Sequence, residues 1–203
     1  MPKVSDAHLA ARRDQILDAA VRSFAVDGFQ ATSMSDIVRA SGMSAGAVYR
    51  YYPSKDDLIA AVADRVMAAA AAVVQQLLAE ERAPHPAEVV AALVTMADRI
   101  ASAGEVDVSR VAVQAWAEAL RNDRIRAIAA TAYGSLRAHL ETACRRSMEA
   151  GDLPAHLDPA VAAQVLFSLV PGYLLQRLLL GDVSADTYGA TLLTVLGARP
   201  GAS

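Results

Sequence analysis

The sequence contains little of what would build a disulfide framework, a metal centre or a catalytic site. Its 203 residues include one cysteine, Cys144, which excludes an internal disulfide and is typical of a reducing compartment. Neither a P-loop nor a nucleophile elbow nor a zinc-protease motif is present. The four histidines lack metal-ligand spacing; they are His8, His85, His139 and His156. We therefore expect no enzyme activity, no cofactor and no bound metal.

Aromatic residues and strand patterns are also scarce. Aromatics make up 5% of the chain, and the 54% hydrophobic fraction comes largely from alanine, the residue that most favours helix. Apolar positions recur at helical spacing between capping residues and glycine stops, rather than alternating as they do in strands. The sequence predicts an all-α protein.

Segments that would export the chain or anchor it in a membrane are not evident. The N-terminus, MPKVSDAHLAARRD, is polar and lacks the apolar region of a signal peptide. The longest apolar run, Val165 to Leu175, is too short to span a bilayer and is interrupted by Ser168 and Pro171-Gly172. We expect a cytoplasmic protein with no membrane contact. The tail from Ala198 to Ser203 is expected to fray.

The net charge of −3 does not indicate nucleic-acid binding by itself. Residues 30–55 carry Arg39, Arg50 and Lys55 against Asp36 alone, a local excess of two positive charges. Two further arginines of the first helix, at positions 12 and 13, can add to the same surface. This electrostatic signal is weak, and a sequence motif carries the inference instead.

The motif lies between residues 32 and 58, in TSMSDIVRASGMSAGAVYRYYPSKDDL. Ser33 and Asp36 form a capping box at the start of a short helix. Gly42 suits the left-handed backbone of a sharp turn between helices, and Ser44 caps a second short helix. This pattern predicts a helix-turn-helix, whose second helix lies in the major groove of DNA. The alternative is a plain helical corner.

The same segment resembles the signature of the tetracycline-repressor-like (TetR/AcrR) family of bacterial transcriptional regulators. Val38 and Ser41 stand where that family usually has alanine, and Pro53 follows the aromatic pair, but no cap or turn residue is lost. The resemblance implies a DNA-binding head, a homodimer and a body that binds a small molecule, usually for repression. The matching positions are Thr32, Ile37, Gly42-Met43-Ser44, Gly46, Tyr49, Tyr51-Tyr52 and Lys55.

Residues of the second helix are the candidates for reading DNA. Ala45, Gly46 and Ala47 present little side chain, so the backbone can approach the groove and Ser44, Tyr49 and Arg50 must supply most direct readout. We expect Thr32, Tyr51 and Lys55 to contact phosphates, which position the head without reading sequence. By resemblance, Tyr49 and Tyr51 offer their hydroxyls to phosphate, whereas Tyr52 belongs to the core. The predicted DNA-binding set is Thr32, Ser33, Ser44, Ala45, Gly46, Tyr49, Arg50, Tyr51 and Lys55.

The rest of the chain is predicted to form a larger helical body. We predict a helix-turn-helix domain over residues 1–53 and an effector-binding and dimerisation domain over residues 54–203. Pro159–Leu180 and Ser184–Leu196 are apolar on more than one face and must bury more than one face. They predict a two-fold dimer on a palindromic operator, unless one subunit covers them completely.

Bulky, adaptable side chains among many alanines suggest room for a small, largely apolar effector. Each of them can equally fill a core, and Pro171 predicts a kink in the helix beside them. The expected function is a ligand-responsive repressor that a small molecule releases from DNA. The alternative is a helical protein-interaction module or a small-molecule-binding protein that does not bind DNA. The predicted effector-binding residues are Met67, Met96, Trp116, Tyr133 and Phe167.

Overall fold

A computed structural model describes residues 6–104 and 106–197, and over these ranges the chain forms nine α-helices and no strand. The all-α prediction is confirmed, whereas the expected fraying of residues 198–203 lies outside the described residues. The helices are α1 Asp6–Asp27, α2 Met34–Ser41, α3 Ala45–Tyr51, α4 Lys55–Leu78, α5 Pro86–Ala101, α6 Ser109–Ala119, α7 Asp123–Glu149, α8 Pro159–Leu179 and α9 Ala185–Val195.

Capping side chains set the helix boundaries at the positions that the sequence indicates. Ser33 Oγ accepts the Asp36 amide at 3.2 Å, and Asp36 Oδ2 accepts the Ser33 amide at 2.9 Å, so the capping box of α2 is confirmed. Gly42 ends α2 in the left-handed region with φ 66°. Ser44 Oγ accepts the Ala47 amide at 3.3 Å and begins α3.

The helices pack into two compact units. Unit 1 comprises the described residues up to 65 together with those of 104–129, and unit 2 comprises residues 66–103 and those described from 130 onward. Helices α4 and α7 each contribute residues to both. These units do not follow the predicted boundary at residue 53, because the first turns of α4 and the whole of α6 pack with α1–α3. The functional division at that residue stays a prediction.

Unit 1 encloses its own apolar core. The inner faces of α1–α4 meet there, and α6 and the first turn of α7 complete it through Val111, Ala119 and Ile125. Gln114 of α6 contacts the turn that follows α1, where its Oε1 accepts the Phe29 amide at 2.7 Å. The largest fully buried side chains that α1–α4 contribute to this core are Ile16, Phe24, Ile37, Val48 and Leu58.

Unit 2 is organised around α5, which packs against α8 and α9. Gly189 of α9 lies so close to α5 that a Cβ atom there would be 3.3 Å from Ala91 Cβ. A polar cluster joins α5 to α8: the Tyr173 hydroxyl donates to Asp98 Oδ1 at 2.8 Å, and Arg177 Nε donates to the same oxygen at 2.9 Å. Burial, followed by the bond to Asp98, raises the pKa of Tyr173 to about 12, so this hydroxyl stays a donor.

Helix α8 keeps an apolar side uncovered. Val165 is 61% exposed, and Leu179 is 77% exposed. The helix continues through Pro171, the site of the predicted kink. Within the described ranges, α8 is also the one helix whose length and composition would suit a membrane span. In its apolar 18-residue stretch, 22% of the residues are buried. Helices of soluble proteins also meet these two criteria, so this is weak evidence for a span.

His85 caps α5 from a buried position. It is 6% exposed, and its Nδ1 accepts the Ala87 amide at 3.2 Å, so the ring proton resides on Nε2. That Nε2 is buried without a hydrogen-bond partner in the part of the chain that the structure describes. Burial lowers the pKa of His85; the charges of Glu88 and Asp152 act in the opposite direction, and that of Arg82 adds to the lowering.

We expect the free energy of unfolding to fall as the pH drops below about 6.5, the ordinary histidine pKa, because the unfolded chain then binds a proton that folded His85 resists. Protonation of Nδ1 also removes the cap of α5. The matched variant is His85→Asn, since asparagine is a good N-cap that does not titrate. Urea unfolding between pH 7.5 and 5.5 should show a smaller loss for the variant. Equal losses in the two proteins would contradict this role.

Candidate nucleic-acid interface

The turn between α2 and α3 is fixed from outside the motif. Gln15 of α1 donates its amide Nε2 to the Ser41 carbonyl at 2.7 Å, at the last residue of α2. Ser41 itself is 5% exposed, and its Oγ accepts the Met43 amide at 3.3 Å within the turn. With Gly42 in the left-handed conformation, these bonds determine how α3 leaves α2.

Helix α3 has one buried face and one exposed face. Val48 is 0% exposed and Tyr52 is 8% exposed, and both lie in the core of unit 1, which confirms the core assignment of Tyr52. On the opposite face the exposed residues are Ser44, Ala45, Gly46, Tyr49 and Arg50. Five predicted DNA-binding residues therefore share one accessible surface on a helix that the core holds in place.

Gly46 is in the first turn of α3, where the fold does not require glycine. A Cβ atom at this position would meet nothing within 4 Å, and the backbone does not adopt a positive φ. Glycine inside a helix costs about 0.5–1 kcal/mol relative to alanine. Since neither packing nor backbone conformation explains this residue, its small size is best explained by close approach of another molecule.

Arginine side chains flank the ring of Tyr51. The guanidinium carbons of Arg50 and Arg13 lie 5.3 Å and 5.9 Å from its centroid. Cations at this distance are attracted to the negative face of an aromatic ring. Neither arginine has an acidic partner among the described residues, so both keep their charge available at the surface. This differs from Arg39, whose Nη2 is 2.6 Å from Asp36 Oδ1.

The predicted site residue Ser33 is exposed at the start of α2, where it interacts with Asp36. Its Oγ is 2.6 Å from Asp36 Oδ2. Hydrogen bonds from the Ser33 side chain and backbone, followed by those of Arg39, hold the pKa of Asp36 below its usual value. The carboxylate thus stays charged beside the turn and neutralises Arg39, so the net positive charge of the exposed face depends on other arginines.

Two of the predicted phosphate contacts, Thr32 and Lys55, make hydrogen bonds inside the head. Thr32 is 1% exposed, and its hydroxyl donates to the Gly28 carbonyl at 2.8 Å. Lys55 Nζ donates to the carbonyls of Phe29 and Thr32, each at 2.8 Å, and lies 4.6 Å from the centre of the Phe29 ring. Phosphate contacts by these two residues stay predictions, and each would require the side chain to leave its present partners.

Sequence reasoning missed the residues that hold the motif from a distance. Gln15 and Gln114 are separated from their partners by 26 and 85 residues. Neither belongs to a recognisable motif, and no local signal indicated them. The sequence motif identified Lys55 as a site residue, but it gave no indication of the hydrogen bonds that Lys55 donates to the carbonyls of Phe29 and Thr32.

The predicted effector-binding residues are only partly brought together. The rings of Tyr133 and Phe167 have centroids 5.1 Å apart, and these two residues belong to unit 2 together with Met67 and Met96. Trp116 belongs to unit 1. All five are partly buried. They stay candidates for a binding site.

The structure describes no group of three or more histidine, cysteine, aspartate or glutamate side chains, within the ranges it covers, that would suit a metal ion. Cys144 is 0% exposed, and burial raises the pKa of its thiol to about 11. A buried thiol that stays protonated is poorly reactive, which favours Cys144 as a small apolar side chain over a redox sensor.

The fold and the exposed α3 face define a helical protein with a helix-turn-helix head. A model of the bacterial regulatory proteins of the tetR family matches residues 16–62. A second model, that of the C-terminal part of BetI-type transcriptional repressors, matches residues 95–199, which is more than half of the chain. The chain belongs to the TetR family of bacterial transcriptional regulators. Members of this family regulate transcription and are not enzymes.

Individual relatives agree with this assignment. The chain is 49% identical over 63 residues to the HTH-type transcriptional repressor Rv1474c of Mycobacterium tuberculosis, a match covering 31% of this chain and 34% of the relative. The chain spans about a third of the length of this and the next curated relatives.

Solved structures share the fold over nearly the whole chain. FadR from Bacillus subtilis in complex with stearoyl-CoA has a TM-score of 0.75 at 16% identity and covers 91% of this chain and 97% of its own. A transcriptional regulator from Saccharomonospora viridis in complex with choline has a TM-score of 0.72 at 24% identity, covering 94% and 97%.

Proposed function

We propose that this protein is a cytoplasmic repressor that binds a palindromic operator as a homodimer and is released from it by a small molecule. The observation that carries the proposal is the exposed face of α3. Its small residues at 45 and 46 allow the backbone close to DNA, and Tyr49, which is 48% exposed, projects beside the unpaired charge of Arg50. A rigid helix with this surface suits the major groove.

The homodimer is supported by the uncovered side of α8. Val161, Val165 and Leu179 recur at helical spacing and are 52%, 61% and 77% exposed. In α9, Val195 is 73% exposed. Contiguous exposed apolar surface on a helix usually marks an interaction site. A second copy of the chain is the partner that a palindromic operator requires, because protein two-fold symmetry mirrors that of the DNA.

The effector site is proposed for the helical body. Tyr133 and Phe167 form an aromatic pair in unit 2, and the partly buried Met67 and Met96 can repack around varied shapes. We propose a small, largely apolar effector. It releases DNA only if it binds one arrangement of the protein better than the other, and α4, whose residues belong to both units, is the proposed connection. Stearoyl-CoA and choline, the ligands of the two similar structures, are the first compounds to add to the DNA-binding assay.

Arg50→Ala should weaken binding to the specific site by about 1–3 kcal/mol, or roughly 5-fold to 150-fold, because an arginine on base edges contributes about this much discrimination. Binding to an unrelated duplex should change much less. The measurement is fluorescence anisotropy with duplexes tiled across the DNA that flanks the protein's own gene, compared with an unrelated duplex of equal length.

The matched control for this measurement is Arg22→Ala, an exposed arginine of α1 outside the α3 face. It should leave the preference for the specific duplex unchanged. If the unmodified protein binds no duplex in a salt-dependent way, DNA binding itself is refuted. In that case the protein is a helical binding module of another kind.

A further inference from the structure

A groove runs between α1 and the start of α3 on the head. Its volume is about 360 Å³, and it opens on the same side as the exposed face of α3. The side chains that matter for its chemistry are two arginines, a tyrosine ring and a serine hydroxyl, with Leu9 and Met43 as apolar walls. The polar lining residues are His8, Arg12, Ser44, Arg50 and Tyr51.

Arg12 lies on the α1 side of this groove, where it hydrogen-bonds to Gln15. Its Nη1 donates to Gln15 Oε1 at 3.0 Å, and the Nε2 of the same glutamine donates to the Ser41 carbonyl at 2.7 Å. Arg12 is thus connected through one side chain to the turn of the motif. It is partly buried and, among the described residues, has no acidic partner. The hydrogen bond to Gln15 uses one of the five guanidinium N–H donors and leaves others for a ligand.

The opposite side of the groove carries hydroxyl groups. Tyr51 is partly buried, and the guanidinium groups of Arg13 and Arg50 lie beside its ring. Ser44 contributes its hydroxyl as the cap of α3. A guanidinium with free donors and hydroxyl-bearing residues line the same groove, and together they supply the kind of hydrogen-bond donors that phosphate oxygens accept.

We propose that this groove binds a phosphate group, with Arg12 as its principal ligand. In the complex with DNA, the phosphate is a phosphodiester of the backbone beside the base pairs that α3 reads. The identification of DNA as the source of the phosphate rests on the proposed function. It makes α1 a positioning element for α3, because Arg12 contacts the backbone and Gln15 joins that contact to the turn. Arg50, at the edge of the groove, remains free for base edges.

Arg12→Gln should reduce the steepness of log K against log salt concentration by about one unit, the expected loss for one phosphate contact. It should weaken binding to the specific duplex and to an unrelated duplex by the same factor, about tenfold, whereas Arg50→Ala affects mainly the specific one. Arg12→Lys keeps the charge and should restore most of the slope. Anisotropy titrations between about 0.05 and 0.2 M salt measure the affinity for each duplex and the slope of its salt dependence. Thermal melting verifies that each variant is folded.

Arg22→Gln is the matched control, since it removes the same charge from an exposed position on the same helix outside the groove. An unchanged slope in Arg12→Gln, with DNA binding intact in the unmodified protein, would overturn the inference and leave the proposed function standing. Absence of salt-dependent binding by the unmodified protein would overturn both.

Titration of the protein with inorganic phosphate, followed by NMR of the Arg12 Nε–H signal, distinguishes the two sources of the phosphate group. If the Arg12 signal shifts only at high concentrations of inorganic phosphate, the result supports a phosphate of the DNA backbone as the ligand. Saturable binding of free phosphate, together with DNA affinity independent of Arg12, would overturn the assignment to DNA.

Discussion

Val165→Glu should convert the proposed dimer into a monomer at micromolar concentration. Val165 is 61% exposed on α8, so a single subunit tolerates glutamate there at little cost. In a two-fold interface the variant would bury a carboxylate from each subunit in apolar surroundings, at a cost of several kcal/mol. Sedimentation velocity should show the dissociation constant rising at least about a hundredfold, since every 1.4 kcal/mol is tenfold.

The matched control is Val26→Glu on α1, because Val26 is 64% exposed and belongs to unit 1. It makes the same chemical change at almost the same exposure and should leave the association state unaltered. Operator affinity should fall with Val165→Glu, since two heads no longer bind together. An unmodified protein that sediments as a monomer would disprove the proposed interface.

Lys55→Met should destabilise the head of the protein. The ammonium group donates to two carbonyls, Phe29 O and Thr32 O, and lies against the Phe29 ring. Methionine keeps part of the apolar stem but leaves both carbonyls without this donor. Hydrogen bonds to charged groups contribute about 1.5–3 kcal/mol when buried, and for this partly exposed side chain we expect a loss of about 2 kcal/mol. Trp116 belongs to unit 1, so its fluorescence during urea unfolding reports the change.

The same variant separates two roles for Lys55. If the lysine contacts DNA phosphate, as the sequence pattern predicts, its removal flattens the salt dependence of DNA binding and leaves the urea midpoint in place. If it stabilises the head, the midpoint falls, and DNA binding weakens only through the loss of folded protein. Arg22→Met, on the exposed surface of α1, provides the baseline for losing a positive charge. A midpoint equal to this baseline would refute the stabilising role.

The parts of the fold that were predictable from sequence are those determined by neighbouring residues. The capping box of Ser33 and Asp36, the left-handed Gly42 and the Ser44 cap each involve residues at most a few positions apart, so sequence letters specify them directly. The start of α6 shows the limit of this reasoning. Val106 and Val108 would fit the apolar pattern of a helix, but Asp107 Oδ1 accepts the Ser109 amide at 3.0 Å, and the helix begins at Ser109.

The direction in which the side chains beside the motif point was not predictable in the same way. Thr32 and Lys55 occupy positions typical of phosphate contacts, yet both find acceptors inside the head. Lys55 bonds to carbonyls 26 and 23 residues away, and their proximity arises only when α1 and α4 have packed. A sequence pattern identifies which residues surround a motif, whereas tertiary packing decides which of them point toward solvent.

The bonds of Lys55 also bear on the chemical modification of this protein. The sequence contains one other lysine, at position 3, so amine-directed reagents have very few targets. The Lys55 nitrogen donates to two carbonyls and must leave those partners before it can attack an activated ester. Acylation of Lys55 should therefore be slow in the folded head and fast once the head opens. Mass spectrometry of the peptide that contains it then measures, from a single residue, the fraction of molecules in which the head that carries the proposed DNA-binding surface is folded.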